Sequence, residues 1–392
     1  MHVSYVAAEG FRNLSGRLEG QPGLNFLWGR NGHGKTGWLE AVYLLGGTKS
    51  FRTRLSHELI AFHRRAARLQ ATVTRRSRSY LLEIHLEDRK KSLFVNHKKV
   101  SVGDYLGRLD AFAYCHEEMC VVRGEPSERR RFLDRGVLSL KPGYVRALAD
   151  YNRTLKQKNA LLRAASESAE RPAHLLDMLE AWNAQLVEHG TTMHAERLAY
   201  VARLNLALEK RLFGAETVTV NYISSLAAHL AAEDGPNYAA ALAERLRVRR
   251  DAEIAAGHSL VGPHRDDLDI AADGRAVARF GSAGQQRSAL LILTLAQLAI
   301  YQESHDEYPV FLLDDIDAEL DYGRIDALLD YLDGKAQVFL TTSKSSLAEA
   351  HRRRAHLHCV ANGVVSPPAA VAAPPDGVAA AEGFLPELLS KD

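Results

Sequence analysis

Eight consecutive residues could do the most definite chemistry in this chain: Gly29, Arg30, Asn31, Gly32, His33, Gly34, Lys35 and Thr36. A glycine, four residues and then Gly-Lys-Thr is the spacing of a phosphate-binding loop, whose backbone N–H groups close around a phosphate chain at a helix N-terminus. The residue types suit ATP: Lys35 would reach the β- and γ-phosphates, and the Thr36 hydroxyl would hold Mg²⁺. A second piece is Val310-Phe311-Leu312-Leu313-Asp314-Asp315, four apolar residues ending in two acids. Such a run reads as a buried strand of a parallel sheet, with its C-terminal end where ligands bind. Asp314 is expected to bind Mg²⁺, directly or through water, and Asp315 to orient or deprotonate the attacking water. Strands often end in Asp, so this second piece takes its meaning from the Lys35 loop.

The third piece is Ser282-Ala283-Gly284-Gln285-Gln286-Arg287, which opens the apolar run Ala289 to Tyr301. Taken alone, Ser282 is a helix cap whose hydroxyl and nearby N–H groups face an anion. In this order and spacing the three pieces resemble the ABC-type ATPases. That resemblance implies that Ser282, Gly284 and Gln285 of one subunit cap the γ-phosphate held by the Lys35 loop of another, so that ATP joins two copies. Glu319-Leu320-Asp321 stands where the class has its D-loop. Where the class places a switch histidine, this chain has Thr341-Thr342-Ser343. A Thr hydroxyl can contact the γ-phosphate but cannot act as a charged switch, which implies slow hydrolysis.

Asn31 within the loop resembles DNA-associated members of the class rather than transporters. Three further strings, Phe11-Arg12-Asn13, Pro126 to Asp134 (PSERRRFLD) and Gly262-Pro263-His264-Arg265-Asp266-Asp267, together resemble the RecF family. The resemblance covers the chain to about residue 363. It implies an ATP-dependent homodimer in the cytoplasm that binds duplex DNA and gapped DNA junctions. It further implies a weak, DNA-stimulated ATPase that works with RecR and RecO to load RecA in recombinational repair, replication restart and the SOS response. Two departures stand out. Cys115-His116-Glu117-Glu118-Met119 occupies the place of a Pro-Glu-Asp type segment, and the D-loop begins with Ala318 rather than the commoner Ser.

The elements that must position these residues follow from periodicity. Leu81 to Leu86 and Leu93 to Asn96 alternate as neighbouring strands of a hairpin. From about 125 to 250 the pattern turns helical. Tyr144, Leu148, Tyr151, Leu155 and Leu162 form one stripe, and Leu175, Leu179, Trp182, Leu186 and Met193 another, with a turn expected at Arg171-Pro172. Asp266-Asp267 lead into a further strand, and His264 in the turn before them reads as structural. The expected fold is therefore α/β: an ABC-type P-loop ATPase head, a mixed sheet with flanking helices, carrying an inserted α-helical lobe. Residues 1–120 and 255–362 make the head, 121–254 the insertion, and 363–392 an Ala/Pro-rich tail that reads as flexible.

With 392 residues, 46% hydrophobic and 25% charged, the chain is of ordinary globular composition. Three cysteines with no CxxC pair argue against a disulfide framework or a zinc site. Ala289 to Tyr301 is too short to span a bilayer, so no membrane partner is expected. The net charge of +2 does not announce a nucleic-acid binder, but local charge does. Residues 121–160 hold ten Lys or Arg against four acids, and 62–91 hold nine against three. The candidate DNA contacts are Arg64, Arg65, Arg68, Arg75, Arg76, Arg78, Arg129, Arg130 and Arg131, with Lys156 and Lys158 weaker. No aromatic residues alternate with them, which favours duplex backbone contact over base stacking. Three other readings remain at this point. One is an architectural or nuclease-partner DNA ATPase of the same class, for which the insertion is too short to make long coiled-coil arms. Another is a transporter subunit, which the Asn31 loop and the missing histidine oppose. The last is a clamp that binds ATP with negligible hydrolysis.

Overall fold

The computed structural model describes residues 1–88, 90–167, 174–210, 217–230 and 237–366. In the strand Val310–Leu313 every side chain is buried, and the four serve two cores in alternation. Val310 and Leu312 face one, Phe311 and Leu313 the other, as the two-residue period of a strand dictates. A strand buried on both faces belongs inside a parallel sheet. Val310–Leu313 runs parallel to Ala111–Tyr114 on one side and to Val338–Thr342 on the other. Val338–Thr342 in turn pairs with Leu24–Trp28, which pairs with Ala355–Ala361, again in parallel. The short strand Val364–Ser366 closes the edge antiparallel, so the sheet is mixed, as expected.

The helix Lys35–Gly47 lies between this sheet and a second one. Trp38, Leu39, Ala41, Val42, Leu44 and Leu45 are all buried, so the helix is apolar nearly all round, as a sandwiched helix must be. The second sheet is antiparallel, in the order Leu14–Glu19, His2–Phe11, Ala66–Arg75, Arg78–Glu87, Lys90–Val95 and Lys98–Val100. The hairpin expected near 81–96 is formed by Arg78–Glu87 and Lys90–Val95, with Leu82, Ile84, Leu86 and Leu93 turned inward.

The other face of the parallel sheet is covered by the helix Ala283–His305, whose run Ala289 to Leu298 is buried. Beyond it lie the insertion helices Pro126–Leu140, Tyr144–Glu167 and Leu175–Glu209. The expected stripes are inside: Tyr144, Tyr151, Leu162, Leu175, Leu179, Leu186 and Met193 are buried. The turn expected at Arg171-Pro172 falls outside the described residues. No described helix is long and apolar enough to cross a membrane.

Two boundaries move. The stretch expected to be helical contains the strand Val218–Ile223, which pairs antiparallel with Asp267–Ala272 in a three-stranded sheet with Arg275–Ala276. A division at residue 254 therefore cuts between hydrogen-bonded strands. The run Val218-Thr219-Val220-Asn221-Tyr222-Ile223 is rich in β-branched residues, which suit a strand. Order also extends past residue 363, because Val364–Ser366 is the edge strand rather than the start of a flexible tail.

Candidate functional site

The phosphate-binding segment leaves the C-terminal end of Leu24–Trp28 and enters the helix at Lys35. Glycine is required at both ends of the turn. A Cβ on Gly29 would sit 2.3 Å from the Val360 carbonyl oxygen, and Gly34 holds φ near 96°. The Lys35 ammonium donates to the carbonyls of Gly29 (2.7 Å) and Arg30 (3.1 Å) and lies 3.4 Å from Asn31 Oδ1. Burial lowers its pKa, and Asp315, Asp314 and Asp317 act against that lowering.

Thr36 donates its hydroxyl to Asp314 Oδ1 at 2.9 Å, across 278 residues of sequence. The loop and the paired acids thus meet at one point. Thr341 donates to the same oxygen at 2.7 Å, and its Oγ1 accepts the Asp315 backbone N–H at 2.7 Å. Asp315 itself adopts a left-handed backbone, φ 48°, at the start of the short helix Ile316–Glu319. Burial raises the Asp314 pKa to about 6; the Thr341 and Thr36 hydroxyls oppose the rise, while Glu117 and Asp315 add to it. Burial also raises Asp315, with Asp317 adding and Lys35 opposing. A hydroxyl beside a carboxylate whose charge is costly suits a hard divalent cation, so the pair Thr36 and Asp314 fits Mg²⁺.

The residues after Leu340 end a strand beside the paired acids. Thr341 and Thr342 are fully buried inside the strand Val338–Thr342. The Thr341 hydroxyl bonds Asp314 and the Asp315 backbone at the edge of the nucleotide cleft, and Thr342 Oγ1 accepts the Lys344 N–H at 3.0 Å. The role of Thr341 as a holder of both acids was not legible, because it depends on two strands lying side by side.

A cleft of about 1160 Å³ opens over the loop, lined by Asn31, Lys35, Thr36, Asp315 and Thr341. Arg12, Arg52, His57, Phe62, Arg64 and Arg65 line it as well. Arg64 and Arg65, expected on DNA, therefore border the cleft. Ser282, Gly284 and Gln285 are exposed and do not line it. Ser282 caps its helix in a reciprocal box: its Oγ accepts from Gln285 N at 3.2 Å, and its own N–H donates to Gln285 Oε1 at 2.9 Å. Arg287, one turn on, pairs with Glu319 at 2.6 Å, tying this motif to the D-loop position.

Several arginines expected on DNA are bonded to groups of the protein itself. Arg75 pairs with Glu307 at 2.6 Å, donates to Tyr301 Oη at 2.9 Å and also bonds the Gly107 carbonyl. Arg129 grips Asp267 with two bonds, 2.6 and 2.9 Å, and Arg130 donates to the Asp266 carbonyl at 2.7 Å. Arg68 pairs with the buried Glu83, and Arg131 pairs with Glu128. Lys158 is fully buried against Glu253 at 2.6 Å. Arg76 is largely exposed but bonds the His305 carbonyl at 3.1 Å, and Arg78 is exposed without a described ion pair. For Arg75 and Arg129 a count of local charge does not find the partner acids, because Glu307 and Asp267 lie far away in sequence. His264 is internal, accepting the Tyr151 hydroxyl at Nδ1 (2.6 Å) while Nε2 faces the Ser259 carbonyl (3.3 Å).

The family model described as RecF/RecN/SMC N terminal domain matches residues 2–366. The chain is 34% identical over 352 residues to the DNA replication and repair protein RecF of Listeria welshimeri, covering 88% of this chain and 94% of that one. It is 34% identical over 373 residues to the RecF of Halothermothrix orenii, covering 93% and 99%. Among solved structures, the recombination mediator protein RecF with ATP, of the RecFOR pathway, superposes with a TM-score of 0.84 at 28% identity, covering 94% of this chain and 98% of that one. An Smc head domain derived from Pyrococcus yayanosii shares the fold, with a TM-score of 0.51 at 12% identity over 93% and 96%.

Proposed function

This chain belongs to the RecF family of DNA replication and repair proteins, and we propose that it is an ATP-gated DNA clamp acting in recombinational repair. The observation that carries the reading is the Thr36–Asp314 contact, which joins loop and acids into one nucleotide site while Ser282 stays exposed outside it. Gly29 to Thr36 would wrap the phosphates, and Lys35 would leave the loop carbonyls for the β- and γ-oxygens. Thr36 and Asp314 would hold Mg²⁺, which when bound neutralises phosphate charge. Asp315 would orient the attacking water. Ser282, Gly284 and Gln285 of a second copy would close over the γ-phosphate, giving an ATP-dependent homodimer. ATP can drive closure only by binding the closed state more tightly than the open one. Weak, DNA-stimulated hydrolysis would then reopen it. Family membership supports duplex and gapped DNA as the cargo, RecR and RecO as partners and RecA loading as the outcome.

The test is solution mass by light scattering for Asp315→Asn with and without ATP and Mg²⁺, then with a gapped duplex. Removal of the water-orienting carboxylate should trap ATP. A mass that doubles with ATP, and co-elution with the DNA, is the expected result. A monomer under every condition would mean that Ser282 does not meet a nucleotide in trans.

A further inference from the structure

The helix Lys35–Gly47 has two ends, and only one faces the nucleotide cleft. Its 13 residues place the other end about 18 Å away. There a separate pocket of about 350 Å³ opens, with Lys49, Arg54, Lys91 and Arg131 in its walls and no Asp or Glu among the lining residues. The lining is positive, although its Ser50 and Thr53 hydroxyls bond Glu40 and Glu58 behind it. Arg54 and Arg131 share one carboxylate, Glu128. Lys91 bonds only the Thr48 carbonyl, and Lys49 has no described ion pair or hydrogen bond. The four cations thus make described ion pairs with a single carboxylate, Glu128, while Asp134 attracts Lys49 without pairing with it. Lys49 is held below the usual lysine range by the surrounding protein, and next by repulsion from Arg131, with Asp134 acting the other way. On the adjacent hairpin Lys98 is exposed on the same face as Lys91 with no described ion pair, while Lys90, across from Glu87, and Lys99 fall on the other face.

We infer that this pocket is a seat for backbone phosphates of duplex DNA, with Lys49 and Lys91 as its principal contacts. The inference rests on the DNA-clamp reading and gives it a location. The chemistry favours a polyanion over a single small anion, since the pocket opens onto a lysine-bearing sheet edge rather than a closed cage. Two flexible ammonium groups suit phosphate as point charges without reading sequence. Nucleotide and DNA would then sit at opposite ends of one buried helix.

The test compares Lys49→Gln/Lys91→Gln with wild type, and with Lys335→Gln/Arg353→Gln, which removes equal charge from two exposed positions elsewhere. Anisotropy of a labelled duplex is followed from about 50 to 200 mM salt with ATP and Mg²⁺ present. The expected result is a log–log salt slope shallower by about 1 per lysine removed, similar for unrelated duplex sequences. ATP binding and the thermal midpoint should stay at wild-type values, which reports the fold. Wild-type slope and affinity in the Lys49/Lys91 variant would remove this site, and so would an equal loss in the control variant. A wild-type protein that binds no duplex would remove the clamp reading itself.

Discussion

At the scale of the residue, the candidate site turns on Asp314 Oδ1. It accepts from Thr36 and Thr341 together, which leaves Oδ2 for the cation that Thr36 and Asp314 are suited to hold. Thr341 also accepts the Asp315 N–H, so one buried hydroxyl orients the metal ligand and anchors the backbone of the water-orienting acid. Thr341→Val keeps the shape and removes both bonds. A hydrogen bond to a charged group contributes about 1.5–3 kcal/mol, so ATP turnover should fall roughly ten- to a hundredfold. Binding of ATP without Mg²⁺ should be unaffected, because Lys35 and the loop are untouched. Thr341→Ser should recover most of the rate. If Thr341→Val turns ATP over at the wild-type rate, the hydroxyl does not position the acids.

At the scale of the element, the turn Gly262 to Asp266 joins the insertion to the strand Asp267–Ala272. His264 is its keystone, accepting from Tyr151 on the helix Tyr144–Glu167. Burial lowers its pKa to about 4; the Ser259 carbonyl opposes this, and Arg265, Lys158 and Arg130 add to the lowering. The folded state thus prefers the neutral ring, while an unfolded histidine takes its proton near its usual pKa of about 6.5. Stability from this group is complete above about 6.5 and is lost as pH falls from there toward about 4, in total about 3 kcal/mol. The melting temperature of wild type should therefore drop more between pH 7 and pH 5 than that of His264→Gln. His358, also lowered by burial to about 4, and Asp314, raised by burial to about 6, are common to both proteins and cancel in the difference. Equal acid losses in the two proteins would show that His264 does not titrate this way. This turn also shows what a sequence yields. Gly262-Pro263 announces a turn, and the run after Asp267 announces a strand, because both signals are local. That Arg129 closes on Asp267 and that Val218–Ile223 pairs with the same strand are long-range facts, invisible to composition or period. The nucleotide loop was legible for the opposite reason: its chemistry is carried by eight adjacent residues, whereas the basic segments depended on acids supplied from elsewhere.

At the scale of the whole molecule, the first hairpin and the last described strand meet at the loop. Gly363 donates its N–H to the His33 carbonyl at 2.8 Å, inside the phosphate-binding segment. Its carbonyl accepts from Trp38 Nε1 at 3.2 Å and from Ser15 N at 3.3 Å. The edge strand after residue 363 therefore braces the loop from outside, while the first hairpin supports it from below. The backbone at Gly363 holds φ near 81°, and a Cβ there would lie 1.8 Å from the Asn13 carbonyl oxygen. Gly334 gives a control, with φ near 68° and open space around the added carbon. Gly334→Ala should incur only the backbone strain, about 1–3 kcal/mol, and keep its affinity for ATP. Gly363→Ala should incur that strain, displace residues 13–15 and loosen the His33 bond. Its melting temperature should fall further, and its ATP affinity should drop as well. Measuring both readouts on both variants separates general strain from loss of the brace. If the two variants bind ATP equally well, the edge strand stabilises the fold without shaping the loop, and the site depends on the sheet and the buried helix alone.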